Sequence, residues 1–201
     1  MLIIFDLDYT LLDTESFKKG LAEALGLTTG QFNNSYKKYF KERAIPYNID
    51  QHIAYLASVS VETGEAAKLR LKDFFSTIDK YLFADAESVL GKLKLGGHKL
   101  VLLTYGDVEW QKQKFNNLKI KKYFAEIIYT DKGKGDVGEL RRMAEERKDV
   151  LIVNDNARES LEIKKKAEQA EIFLIDGPYA NNCEHNLERR KLEDIDKFFN
   201  R

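Results

Sequence analysis

Apolar residues in this chain fall into two rhythms. Short, nearly unbroken runs at Leu2–Leu7, Lys99–Thr104, Glu126–Thr130, Val150–Val153 and Ile172–Ile175 have the length and β-branched content of buried strands. Between them apolar residues recur every three or four positions. This predicts helices at Asp85–Leu95, Val108–Leu118, Asp136–Arg147, Arg158–Gln169 and Leu187–Phe199. Strands alternating with helices imply a parallel sheet with right-handed crossovers. The expected fold class is therefore α/β, a Rossmann-like parallel-sheet core flanked by helices. Residues 15–83 break the rhythm and read as helices only, at Glu15–Leu25, Gly30–Arg43, Asp50–Ser58 and Val61–Lys80. The expected organisation is a core of residues 1–14 and 84–201 with an all-helical cap, residues 15–83, inserted after the first strand.

Composition narrows the setting. The chain has 201 residues, 43% of them hydrophobic, which suffices for one core with an insert. Its 33 basic and 33 acidic residues cancel, so no general attraction to nucleic acid or anionic membranes is expected. The apolar runs are far shorter than the ~20 residues of a membrane span. The first residues lack the pattern of a secretory leader. Cys183, the single cysteine, has no partner for an internal disulfide. These features lead to the expectation of a cytoplasmic protein.

The candidate chemistry gathers at strand ends, where parallel sheets collect ligands. The first run ends in an Asp-x-Asp-x-Thr array, Asp6 to Thr10. Side chains two apart on a strand share a face. One carboxylate can therefore attack phosphorus while the other manages a proton. A Mg²⁺ ion, with its preference for hard oxygen ligands, can bridge such an acid and a phosphate. Taken alone, the two aspartates are explained equally well as turn or capping residues. The second run ends at Thr104-Tyr105-Gly106, where a hydroxyl and following backbone N–H groups can bind an anion; the simpler account of Thr104 is a helix cap. A third run ends at Asn154-Asp155, with Asp155 a metal ligand or a helix N-cap, and Glu159 one turn on, supporting the metal or lying on the surface. Lys132 and Lys134 sit between a strand and a helix. Either can neutralise a nucleophile and a phosphate, and Lys134 is preferred because it is closer to the helix start. His52, His98 and His185 have no ligand spacing, and the aromatics of residues 15–83 read mainly as helical packing.

Together these positions resemble the motifs of the haloacid dehalogenase superfamily, subfamily I with a helical type-1 cap. Asp6-Leu7-Asp8-Tyr9-Thr10-Leu11 is similar to its first motif and Thr104 to the second. Lys134 or Lys132 matches the third motif and Asp155 the fourth. Thr104-Tyr105-Gly106 with Gln111, Lys114 and Phe115 extends the likeness. The resemblance implies Mg²⁺-dependent phosphoryl transfer through a phosphoaspartate. Asp6 would be the nucleophile and Asp8 the general acid/base. Thr104, Tyr105, Gly106 and Lys134 would hold the phosphate and substrate. Asp6, Asp155 and the main-chain carbonyl of Asp8 would hold the metal, with the cap closing over the substrate. The chain departs from the pattern at Tyr9 and Tyr105, which replace a common Gly and Asn. It also lacks the usual Lys-Pro pair and has Asn154 before Asp155. The expected function is a phosphatase acting on a small phosphorylated metabolite. A 2-haloacid dehalogenase, a phosphomutase and a non-catalytic binding protein on the same fold are the alternatives.

Overall fold

The computed structural model describes residues 1–59, 65–145 and 149–199. Its contacts divide the chain into two units, one of residues 1–13, 82–105 and 120–201, the other of residues 14–81 and 106–119. The strands are β1 (Leu2–Phe5), β2 (Lys99–Tyr105), β3 (Glu126–Thr130), β4 (Val150–Asn154), β5 (Glu171–Ile175) and β6 (Arg189–Arg190). The helices are α1 (Thr14–Ala24), α2 (Thr29–Tyr36), α3 (Ile49–Ser58), α4 (Glu65–Ser76), α5 (Ala86–Leu95), α6 (Val108–Asn116), α7 (Gly138–Glu145), α8 (Ala157–Lys166) and α9 (Ile195–Phe198).

The six strands of the first unit form one parallel sheet in the order β3-β2-β1-β4-β5-β6. The α/β, Rossmann-like expectation holds. β1 is central, with Ile4 opposite Val101 on one side and Ile152 on the other. A strand covered on both faces has no place for a polar side chain, so Leu2–Phe5 is wholly apolar and wholly buried. Residues two apart share a face. Leu2 and Ile4, Val101 and Leu103, and Val150 and Ile152 accordingly fall in one cluster with Leu140, Met143 and Ile163 from α7 and α8. Strand order changes direction around β1, and this aligns the carboxyl ends of β1, β2 and β4 side by side.

The second unit is helical. Its core is aromatic: the Phe17 ring lies 5.1 Å from Phe74, 5.8 Å from Tyr81 and 6.0 Å from Trp110. Trp110 is on α6, which the sequence pattern assigns to the α/β core. Its ring also meets Tyr47 at 5.0 Å, so α6 clusters with the helical unit instead. Phe32, Phe40 and Tyr47 surround the buried His52, which bonds to Ser35 Oγ at 2.8 Å and to the Tyr47 hydroxyl at 3.0 Å.

The structure corrects two element assignments. The helix expected at Gly30–Arg43 stops at Tyr36 and continues as a π-helical turn over Lys37–Lys41. The expected helix Leu187–Phe199 is β6, a 3₁₀ turn at Leu192–Asp194 and the short α9. Here tertiary pairing overrides the local pattern: Arg189 and Arg190 pair with Leu174 and Ile175, and the Arg190 guanidinium lies over Phe173 and Phe198. The start of the helix expected at Val61–Lys80 and the end of that expected at Asp136–Arg147 lie outside the described residues. No helix among the described residues is long and apolar enough to cross a membrane.

Candidate active site

The site grows from the end of β1. The strand's hydrogen bonding extends one residue further, with the Asp6 N–H donating to the Val153 carbonyl at 2.9 Å, so Asp6 is held in line with β4. The chain then turns back. Three amides, of Thr10, Leu11 and Leu12, converge on the Leu7 carbonyl, and Tyr9 N–H donates to Leu12. This tight loop places Asp8 and Tyr9 at the carboxyl edge of the sheet. Asp6 is only 9% exposed and Lys134 4%. Lys134 Nζ stands 2.7 Å from Asp6 Oδ1 and 2.7 Å from Glu159 Oε2. Lys132, by contrast, is exposed, and its main-chain N–H bonds to Thr130 Oγ1. The geometry therefore selects Lys134 as the lysine that reaches Asp6.

Glu159 has a second donor, Asn154 Nδ2, at 2.8 Å on the same oxygen that takes Lys134. Glu159 thus serves the lysine rather than the surface. The capping explanations for the other candidates fail. Asn156 is the N-cap of α8, accepting the Glu159 N–H at 3.1 Å, which frees Asp155 from that task. Asp107 is the N-cap of α6, accepting from Trp110, so Thr104 does not cap it either. Thr104 is fully buried, and neither its Oγ1 nor that of Thr10 has a hydrogen-bond partner among the described residues. Buried hydroxyls without partners are costly, and a bound oxyanion would satisfy them. Tyr105 closes β2 with its side chain 47% exposed. Gly106, the next residue, has φ +143°, and a Cβ there would stand 2.8 Å from Gln111 Nε2, so glycine is required at this point.

Electrostatics set the character of the site. Burial pushes the Asp6 carboxyl up to about 6; Lys134 pulls against this, while Glu159 and Asp8 push with it. Burial also pushes Asp155 up to about 8, with Asp6 and Asp8 adding to the shift and Lys134 opposing it. For Lys134 burial disfavours the charge, yet the Asp6 and Glu159 carboxylates outweigh it and raise its pKa. Asp6 and Glu159 both contact the Lys134 ammonium.

Among the described residues no group of three or more His, Cys, Asp or Glu side chains is gathered as a ready metal site. The ligand set implied by the resemblance needs only two such side chains, Asp6 and Asp155, with a main-chain oxygen at Asp8. Asp155 is 2% exposed and its Oδ2 has no hydrogen-bond partner among the described residues. An orphaned carboxylate oxygen facing like charges suits a hard divalent cation, which would reverse the repulsion.

Some site residues have no local sequence signal. The Asn154–Glu159 bond depends on α8 folding back beside β4. Gly177, in the loop after β5, packs where a Cβ would stand 3.1 Å from the Cβ of Asp155. Thr10 had a signal, being the last residue of the first motif.

The molecule is thus an α/β protein with a charge-dense site at the carboxyl edge of a Rossmann-like sheet. The family model described as Haloacid dehalogenase-like hydrolase matches residues 3–168, and the chain belongs to this family. No curated protein sequence matches it. Among solved structures, the L-2-haloacid dehalogenase from Xanthobacter autotrophicus is 15% identical with a TM-score of 0.66, covering 100% of this chain and 99% of that one. The HAD-hydrolase YfnB from Bacillus subtilis, provisionally assigned and bound to magnesium, is 16% identical with a TM-score of 0.63, covering 99% and 98%. A provisionally assigned β-phosphoglucomutase from Thermotoga maritima is 17% identical with a TM-score of 0.60, covering 100% and 99%. At these identities the likeness establishes the fold.

Proposed function

We propose that the protein is a Mg²⁺-dependent phosphomonoester hydrolase acting through a phosphoaspartate on Asp6, with a small phosphorylated metabolite as substrate. The observation that carries this reading is the buried Asp6–Lys134 pair, with a second acid, Asp8, two residues on. Lys134 holds Asp6 Oδ1 and leaves the other oxygen to attack. The Asp6 oxygen bonds to phosphorus as the bond to the leaving oxygen breaks, and Asp8 gives that oxygen its proton. Asp8, now a carboxylate, takes a proton from water as the water oxygen attacks phosphorus. The Asp6–phosphorus bond breaks, releasing phosphate and restoring both acids. Thr104 Oγ1 and Lys134 Nζ hold the phosphoryl oxygens in line for both displacements. Asp6, Asp155 and the Asp8 carbonyl would hold Mg²⁺, which supplies charge neutralisation for the phosphoryl group.

A 2-haloacid dehalogenase would use the same Asp–Lys pair but has no task for an acid at position 8, so Asp8 favours phosphate chemistry. Turnover of p-nitrophenyl phosphate with and without EDTA tests the reading. The expected result is activity that EDTA abolishes, Mg²⁺ restores and Asp6→Asn eliminates. Activity indifferent to the chelator, or wild-type turnover by Asp6→Asn, would sink it.

A further inference from the structure

Tyr9 stands in a backbone conformation that aromatic residues avoid. Its φ is +58°, in the left-handed region where a β-carbon is crowded, and Ala44 is the other non-glycine residue with positive φ among the described residues. The tight loop after β1 requires this geometry, and glycine would meet it without strain. Something must favour the ring enough to keep it there. The ring meets Tyr179 edge to face, with centroids 5.5 Å apart and planes at 77°. Tyr179 belongs to the loop after β5, and that loop is fixed against the site. The Tyr179 carbonyl accepts from the Ala157 N–H at the start of α8 at 3.2 Å. Two residues earlier, Gly177 packs on Asp155. The two tyrosines therefore join the loop carrying Asp8 to the loop beside Asp155, on the rim of the carboxylate cluster. Tyr179 keeps 41% of its surface in solvent, and Tyr9 is partly exposed. The pair therefore keeps solvent-exposed surface on the rim of the carboxylate cluster.

We propose that Tyr9 and Tyr179 form the leaving-group subsite, selecting phosphate esters whose leaving group carries a planar aromatic ring. This rests on the phosphatase reading above. A planar ring can stack on solvent-exposed tyrosine surface, whereas a flexible alkyl group gains less there and loses more conformational freedom on binding.

The test compares wild type with Tyr9→Gly, Tyr9→Phe and Tyr179→Ala on phenyl phosphate, a nucleoside 5′-monophosphate and propyl phosphate. Variant-to-wild-type ratios cancel the intrinsic reactivity of each ester. Tyr9→Gly and Tyr179→Ala are expected to lower kcat/KM for one or both aromatic esters about tenfold more than for propyl phosphate, mainly through KM, as loss of one stacking contact would do. Whichever aromatic ester responds identifies the ring, aryl or nucleobase, that the subsite takes. Tyr9→Phe should retain the preference. Tyr9→Gly relieves backbone strain, so its Tm should not fall enough to account for the change. An equal fall on all three esters would make the pair a structural clip, and no change would remove it from the site; either overturns the inference and leaves the phosphatase reading standing. If wild type hydrolyses none of the esters, both fall.

Discussion

Lys134 carries the positive charge that Asp6 and Glu159 both contact, and its removal shows how tightly the site is balanced. Lys134→Met would leave two carboxylates without their cation, one of them almost fully buried. The expected outcome is a loss of about 3 kcal/mol or more in denaturant unfolding, with kcat down by roughly 10²–10³-fold. Asn154 belongs to the same balance. It donates to Glu159 without adding another negative charge. Asn154→Asp would place a carboxylate against Glu159 where a donor stood, and hydrolysis should fall while Asn154→Ser, which keeps a donor, loses less. Asp155→Asn keeps the shape and removes the anionic oxygen, and Mg²⁺ affinity measured by calorimetry should drop about tenfold or more. Unchanged affinity would exclude Asp155 from the metal site.

At the scale of elements, close approach decides more than propensity does. Gly20 lies inside α1, where glycine is a poor helix former, yet a Cβ there would stand 1.7 Å from the Tyr81 hydroxyl oxygen. Ordinary helix propensity predicts that Gly20→Ala stabilises. The packing predicts the opposite, a loss of roughly 1–3 kcal/mol in the helical unit, because the buried Tyr81 ring must move. Thermal unfolding of that single variant distinguishes the two. In β6 the pairing of Arg189 and Arg190 with Leu174 and Ile175 overrules the local period.

For the whole chain, a probe placed in one core reports on the unit that holds it. Trp110 is the single tryptophan and packs in the helical unit, so its fluorescence reports that unit. Burial pushes His52 down to about 4 from its ordinary 6.5. Between those values the unfolded chain binds a proton that the folded chain does not. The unit's stability is therefore full above pH 6.5 and falls as the pH drops toward 4, by about 3 kcal/mol at the limit. Denaturant unfolding followed at Trp110 should show this fall in wild type, and a much flatter dependence in His52→Phe. An equal slope in both would place the acid sensitivity elsewhere.

What the amino-acid order alone determined is the alternation of strand and helix, the parallel sheet and the positions of Asp6, Asp8, Thr104 and Asp155. All of these follow from local period and from the cost of polar residues at the ends of apolar runs. The order alone left open whether Lys132 or Lys134 serves the site and what Glu159 does, and it assigned α6 to the α/β core. Those depended on distances between segments far apart in the chain. Lys134 and Glu159 are 25 residues apart in sequence, and nothing local to either encodes their meeting. Only when β1, β4 and α8 stand together does one lysine fall within hydrogen-bond reach of two acids while its neighbour faces solvent. Desolvation then turns that proximity into altered acidity, a property that no single position in the sequence possesses.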